Sequence, residues 1–165
     1  MTDTANQAES AESAEKAEKA EGVRKDLADL VAGSRQGAVV TLKRDGRPQL
    51  SNVSFDFDPE AGASGVIRFS TTADRAKVAN LRRDPRVSMY VTRPDFGAYA
   101  VVEGTAELTP VSASPGDATV DELVEVYRRI VGEHPDWDEY RAAMVADRRL
   151  VVRIAVERGY GWGGW

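Results

Sequence analysis

The chain contains no cysteine in 165 residues, which excludes disulfides, thiolate metal sites and thiol nucleophiles. It has one histidine, His134, so any Ser-His-Asp arrangement would have to be built around it. No Gly-x-Ser-x-Gly elbow precedes a helix, and there is no P-loop. His134 lies between Gly132 and Pro135, where a capping or surface role at a helix start is expected. No run is apolar enough to span a membrane, and the Ala/Glu-rich beginning has no apolar signal core. A soluble, cytoplasmic protein is expected. The run Gly159-Tyr-Gly-Trp-Gly-Gly-Trp165 imitates a dinucleotide fingerprint, but it follows the last predicted strand with no helix after it. Asn52-Val53-Ser54 is a glycosylation pattern inside a predicted strand, in a chain with no secretion signal. The carboxylates Asp56 and Asp58 sit at a strand-to-loop exit, where solvation is expected.

What is present fits one globular domain with a sizeable core: 42% of residues are hydrophobic and 30% charged. The net charge of −5 is concentrated at the beginning, where residues 1–21 hold six acids against two lysines. From Gly22 onward 20 cations face 21 acids, which gives no case for general nucleic-acid binding. From Ala8 to Glu21 the triplet Ala-Glu-x recurs five times. It carries no large apolar residue, so residues 1–22 are expected to be a disordered leader without chemistry.

The folded part is expected from Val23. Leu27, Leu30 and Val31 predict an amphipathic helix over 23–33 that Gly33 ends. A strand over 38–43, an Asp45-Gly46 hairpin turn and a strand over 49–57 follow. In that last strand Gln49-Leu50-Ser51-Asn52 puts polar side chains on the inward parity, as a strand facing a polar ligand or carrying a bulge would. Further strands are expected over 66–71, 87–92, 99–108 and 150–156, with helices over 120–131 and 136–146. Six strands in hairpin order with few helices predict a mainly β protein, a closed or nearly closed antiparallel barrel with rim helices.

One stretch stands out. Ser70-Thr71-Thr72 leads into a helix that must stop before Pro85, and Thr71-x-x-Asp74 has capping-box spacing. Arg75, Lys77, Arg82, Arg83 and Arg86 place five cations within twelve residues of an acidic protein. Hydroxyls and free N–H groups at a helix start, with Arg and Lys one turn in, suit a phosphate. The competing reading is a solvated basic helix face. A phosphate site without an evident nucleophile or base suits an enzyme whose cofactor carries the chemistry.

Four segments together carry a family resemblance: Asp45 to Val53, Ser70 to Pro85, Tyr99-x-x-x-Glu-Gly-Thr-Ala106, and Gly132 to Tyr140. In this order, over residues 23–161, the chain resembles the flavin/deazaflavin oxidoreductases of the split β-barrel fold, the pyridoxamine 5′-phosphate oxidase-like, F420-dependent family of actinobacteria. The resemblance implies a six-stranded antiparallel split barrel of the FMN-binding type and a homodimer with two cofactors at its interface. It also implies hydride transfer from reduced F420 to a conjugated small-molecule acceptor. Arg75, Lys77 and Asn80 match positions that hold the cofactor phosphate and its linker. Gln49, Ser51 and Asn52 match the strand along the deazaflavin ring, with Ser70, Thr71 and Thr72 on the adjacent strand end. Tyr99 matches either an approach from the partner subunit or barrel packing. The chain departs from the pattern at its Trp/Gly-rich end, where Trp162 and Trp165 either cover a planar substrate or belong to a frayed terminus.

Lys43, Arg44 and Arg47 are candidates for the acidic oligoglutamate tail that distinguishes F420 from FMN. No metal site and no dedicated proton donor is expected. The alternatives are an FMN-dependent oxidase of the same fold, a non-enzymatic carrier of cofactor or haem, and a purely structural dimer.

Overall fold

A computed structural model describes residues 25–163; the expectation for residues 1–22, and that for Trp165, lie outside them. Helix α1, over 25–32, precedes β1 (Gln36–Leu42), β2 (Pro48–Ser54), β3 (Asp56–Asp58), β4 (Val66–Thr72) and helix α2 (Ala76–Arg83). Then come β5 (Arg86–Thr92), β6 (Ala98–Leu108), α3 (Ala118–Ile130), α4 (Trp137–Ala146) and β7 (Arg149–Gly163). All pairings are antiparallel, in the order β2-β1-β5-β6-β7-β4-β3.

The two ends of that order are consecutive in the chain. β2 and β3 are one expected strand that changes partners at Phe55, pairing first with β1 and then with β4. Phe55 is fully buried at the switch, and its N–H donates to Arg35 O at 2.9 Å. This seam brings the sheet round on itself as a split barrel. It also explains why seven strands stand where six were expected.

Alternation places the core. Val39, Ile67, Phe69, Met89, Val91, Val102 and Ile154 fill the barrel, each removing about 1.5–3 kcal/mol worth of side chain from water. A second cluster joins Val120, Leu123, Val124, Tyr140 and Met144 of α3 and α4 to Val151. β7 is therefore covered on both faces, so Leu150-Val151-Val152 reads as a continuous apolar run rather than an alternation.

Three expectations are corrected. The β1–β2 register is continuous from Gln36↔Ser54 to Leu42↔Pro48, so the polar run at 49–52 carries no bulge. The register shift lies instead between Glu103 and Gly104 of β6. The chain end does not fray at 157: β7 continues to Gly163, with Trp162 opposite Tyr99 and Tyr160 opposite Val101. Its glycines explain the extension. A Cβ on Gly161 would stand 2.2 Å from the backbone oxygen of Tyr99 and 2.6 Å from Leu27 Cδ2; the leucine methyl can move but the backbone cannot, so only glycine lets β7 pair this closely with β6 under α1. Aromatic residues take the other parity and face outward. Asp56 is not solvated but 3% exposed, bonded to Arg68 Nη2 at 2.8 Å beneath α3.

Candidate functional site

β4 ends at Thr72 and β7 begins opposite it at Arg149. The turns beside these ends, together with α2, enclose a cleft of about 510 Å³ whose walls include Arg75, Arg82, Arg148 and Arg149. Arg148 is at φ 53°, in the left-handed region, and its carbonyl accepts from Ala73 N at 3.0 Å. Arg149 donates to Ser70 Oγ at 3.1 Å and pairs with Asp147 at 3.4 Å. Arg148 and Arg149 are the cleft residues that the sequence reading missed. Their only signal is a pair of arginines in the turn between the last helix and the last strand.

The expected capping box is not formed. Thr71 shares the inward parity of Ile67 and Phe69 and is buried in the barrel. Thr72 Oγ1 donates instead to Asp74 Oδ1 at 2.5 Å, and this hydroxyl, chief among several causes, holds the Asp74 carboxyl below the usual carboxylate range. The N-cap of α2 is Arg75, whose side chain makes no capping bond. The other two complete helices differ: Asp117 accepts from Val120 N, and Asp136 accepts from Glu139 N. The first-turn N–H groups of α2 thus lack the side-chain acceptor its neighbours have.

Lys77 lies half-buried in that first turn. Burial, reinforced by the Arg75 charge, pushes its ammonium below the ordinary lysine value. Among the described residues, no carboxylate lies within 4 Å of the charged nitrogens of Arg75, Lys77, Arg82 or Arg148. A cation that is partly desolvated beside another cation is stabilised by any anion that enters.

The polar parity of β2 joins α2 from the other side. Gln49 and Ser51 are half-buried inward, while Asn52 points outward and is exposed. Asn80, 7% exposed, donates to the fully buried Thr41 Oγ1 at 3.0 Å and to Gln49 Oε1 at 3.4 Å. Gln49 Nε2 donates to Ser51 Oγ at 2.8 Å. The structure therefore brings Gln49, Ser51 and Asn80 together, and Arg75 and Lys77 onto one turn. Asn52 stands apart from them, Thr71 is turned into the core, and Ser70 and Thr72 are engaged by Arg149 and Asp74. Thr41, unremarkable as a strand residue in the sequence, is the centre of this network.

Arg83 donates to Leu42 O, which ties the end of α2 to the residue before the Lys43–Arg47 hairpin. Lys43, Arg44 and Arg47 on that hairpin are exposed. Tyr99 stacks on Tyr90 with ring centroids 5.9 Å apart. His134 Nδ1 accepts from Asp136 N at 3.0 Å, beside the rings of Tyr127, Trp137 and Tyr140. This is the capping role expected of it. No helix among the described residues is long and apolar enough to cross a membrane.

Comparison with known proteins agrees with this architecture. The conserved hypothetical protein Rv2991 of Mycobacterium tuberculosis superposes with a TM-score of 0.63 at 28% identity, over 85% of this chain and 84% of that one. An F420 reductase superposes with a TM-score of 0.61 at 27% identity, over 80% and 94% of the two chains. A heme binding protein from Mycobacterium smegmatis shares the fold alone, with a TM-score of 0.61 at 18% identity over 87% and 55%. The family described as pyridoxamine 5′-phosphate oxidase matches residues 23–163. The chain thus belongs to the pyridoxamine 5′-phosphate oxidase-like family of split barrels, which includes oxidoreductases.

Proposed function

We propose that this protein is an F420-dependent reductase that passes a hydride from reduced deazaflavin to a conjugated small-molecule acceptor. The observation that carries the reading is the uncapped start of α2, where among the described residues no carboxylate lies within 4 Å of the charged nitrogens of Arg75 or of a half-buried Lys77, and Asp74 acts on Arg75 only at longer range. That donor set fits a phosphorylated cofactor: free N–H groups, two cations and a helix dipole converge on one place. The similarity to an F420 reductase supports the deazaflavin over other phosphorylated ligands. The chemistry such a cofactor brings is hydride donation, and the acceptor's second hydrogen arrives as a solvent proton.

In this reading Arg75 and Lys77 hold the phosphate, and Gln49 and Ser51 line the ring from β2. Arg82 and Arg148 add positive potential along the cleft. Lys43, Arg44 and Arg47 meet the acidic tail, with a strength that falls as salt rises. Members of this family are commonly dimeric, and the outer sheet face supports a homodimer with the cofactor at its interface. Leu50, Tyr160 and Trp162 are 61%, 55% and 60% exposed there, beside the stacked Tyr90 and Tyr99. The second reading is an FMN-dependent oxidase, favoured by the family's own description, since a phosphate site serves either cofactor.

Titration with F420 and with FMN, at low and high salt, tests the assignment. Tighter binding of F420, stronger salt dependence for F420 than for FMN, and loss of both in Lys77→Ala are expected. Preference for FMN would transfer the reading to the oxidase. Binding of neither would return α2 to a solvated basic face. Light scattering should give twice the 17.9 kDa chain mass; a monomer would remove the interface.

A further inference from the structure

We infer that Arg83, Asn80, Thr41 and Gln49 form a one-way hydrogen-bond relay that fixes Ser51 as a donor toward the cofactor ring. The inference rests on the reading above that β2 lines the ring.

The direction of the relay is set at its far end. A guanidinium has five N–H donors and no acceptor. Arg83 stands 3.5 Å (Nη1) and 3.4 Å (Nη2) from Asn80 Oδ1, so the carboxamide oxygen must face it and Nδ2 must face away. Nδ2 donates to Thr41 Oγ1 at 3.0 Å. Thr41, having accepted, has one proton to give, and it donates to Gln49 Oε1 at 3.3 Å. The same oxygen accepts from Asn80 Nδ2 at 3.4 Å. Both donors require oxygen at that corner of Gln49, which turns Nε2 toward Ser51 Oγ at 2.8 Å. Ser51 accepts there, and its own proton meets no acceptor among the described residues. Reversal is forbidden at the first step, because Arg83 has no lone pair to offer.

Burial gives the relay its strength. Thr41 is 0% exposed and Asn80 7%, and successive hydrogen bonds polarise one another where water is excluded. Arg83 itself is exposed, so solvent screens its charge, and what reaches Ser51 through the four links is the fixed direction of the hydrogen bonds, without a formal charge beside the ring. A donor of this kind suits a ring carbonyl or ring nitrogen whose negative charge grows on reduction. No covalent bond forms or breaks along the chain. Ser51 is the contact residue, and Thr41, Gln49, Asn80 and Arg83 are positioning residues.

Four variants and two readouts test this. Arg83→Gln supplies an acceptor and lets Asn80 turn over; Thr41→Val removes the central hydroxyl at nearly constant volume; Thr41→Ser restores it; Ser51→Ala removes the donor. With F420 and FMN as probes, Arg83→Gln and Thr41→Val should move the absorbance of the bound cofactor in the same direction as Ser51→Ala. Each should weaken binding about tenfold, and Thr41→Ser should restore both properties. In the ligand-free protein, NMR should find the side-chain amides of Gln49 and Asn80 protected from exchange, and both should lose protection in Thr41→Val. An unchanged spectrum and affinity in Thr41→Val, with wild type binding the cofactor, overturns the relay and leaves the cofactor site standing. Failure of wild type to bind either cofactor removes the cofactor reading and with it the assignment of Ser51. The relay itself is then decided by the ligand-free amides, which overturn it if Gln49 and Asn80 exchange independently.

Discussion

The cleft at α2 and the ground beneath α3 are both rich in arginine and treat it in opposite ways. Under α3, Arg68 meets Asp56 at 2.8 Å, Glu125 at 3.4 Å and Glu122 at 3.8 Å. Arg153 meets Glu122 at 2.5 Å and Glu107 at 3.2 Å, and Arg129 reaches Asp56 and Asp58 at 3.7 Å. Every guanidinium there has its carboxylate, and the network fastens α3 to the barrel. At α2, Arg149 alone pairs with Asp147, while Arg75, Lys77, Arg82 and Arg148 have no carboxylate within 4 Å among the described residues and Asp74 reaches Arg75 and Arg148 only at longer range. The difference separates charge used to hold the fold from charge left for something that is not part of it.

The sharpest way to break the comparison is Arg68→Ala. It strands Asp56, 3% exposed, without its closest partner, and the loss of one member of a buried pair costs about 3–5 kcal/mol. Urea unfolding should show this, while cofactor affinity per folded molecule stays the same. A loss below about 1 kcal/mol would place the pair among ordinary surface contacts.

Lys77→Met tests the opposite side. Binding of F420 should fall about 10–100-fold, as removal of one charge-assisted contact with phosphate implies, while the ligand-free melting temperature stays level or rises. The sign follows from linkage. Lys77 titrates below its unfolded value of 10.5, so between the two values the unfolded chain binds more protons and ligand-free stability rises with pH. Anion affinity must fall over the same interval, as the ammonium is lost. Wild type should show these opposite slopes and Lys77→Met neither; parallel slopes would mean that Lys77 does not face the anion.

The smallest effect is expected at Arg148, held at φ 53°. Glycine adopts that conformation freely, so Arg148→Gly should relieve about 1 kcal/mol of backbone strain and weaken F420 binding only a few-fold. Lower stability in this variant would show that the side chain serves the fold, as Arg68 does.

The barrel was legible wherever one face of a strand is wet, as at Val87, Met89 and Val91. It was illegible where a strand changes partners, since nothing at Phe55 marks a switch from β1 to β4. The end of β7 misled because glycine in a strand usually signals weakness, whereas Gly161 answers to the backbone of Tyr99 in β6, far away in sequence. The capping box failed because Thr71 obeys the parity of the barrel before it can obey a helix. In the candidate site, Arg75 and Lys77 stood out by local density. Arg148 and Thr41 did not, because their roles arise only when distant segments converge. Asp56 read as solvated because its partners, Arg68 and Arg129, come from other elements.

The alternation at the end of β7 also separates what can vary from what cannot. Gly161 is fixed by its closeness to Tyr99 O, while Tyr160 and Trp162 on the opposite parity are 55% and 60% exposed. Exchanging these two residues leaves the backbone that carries them in place and changes only the outer face on which the homodimer reading relies. The chain end is in this sense a fixed rail with replaceable fittings.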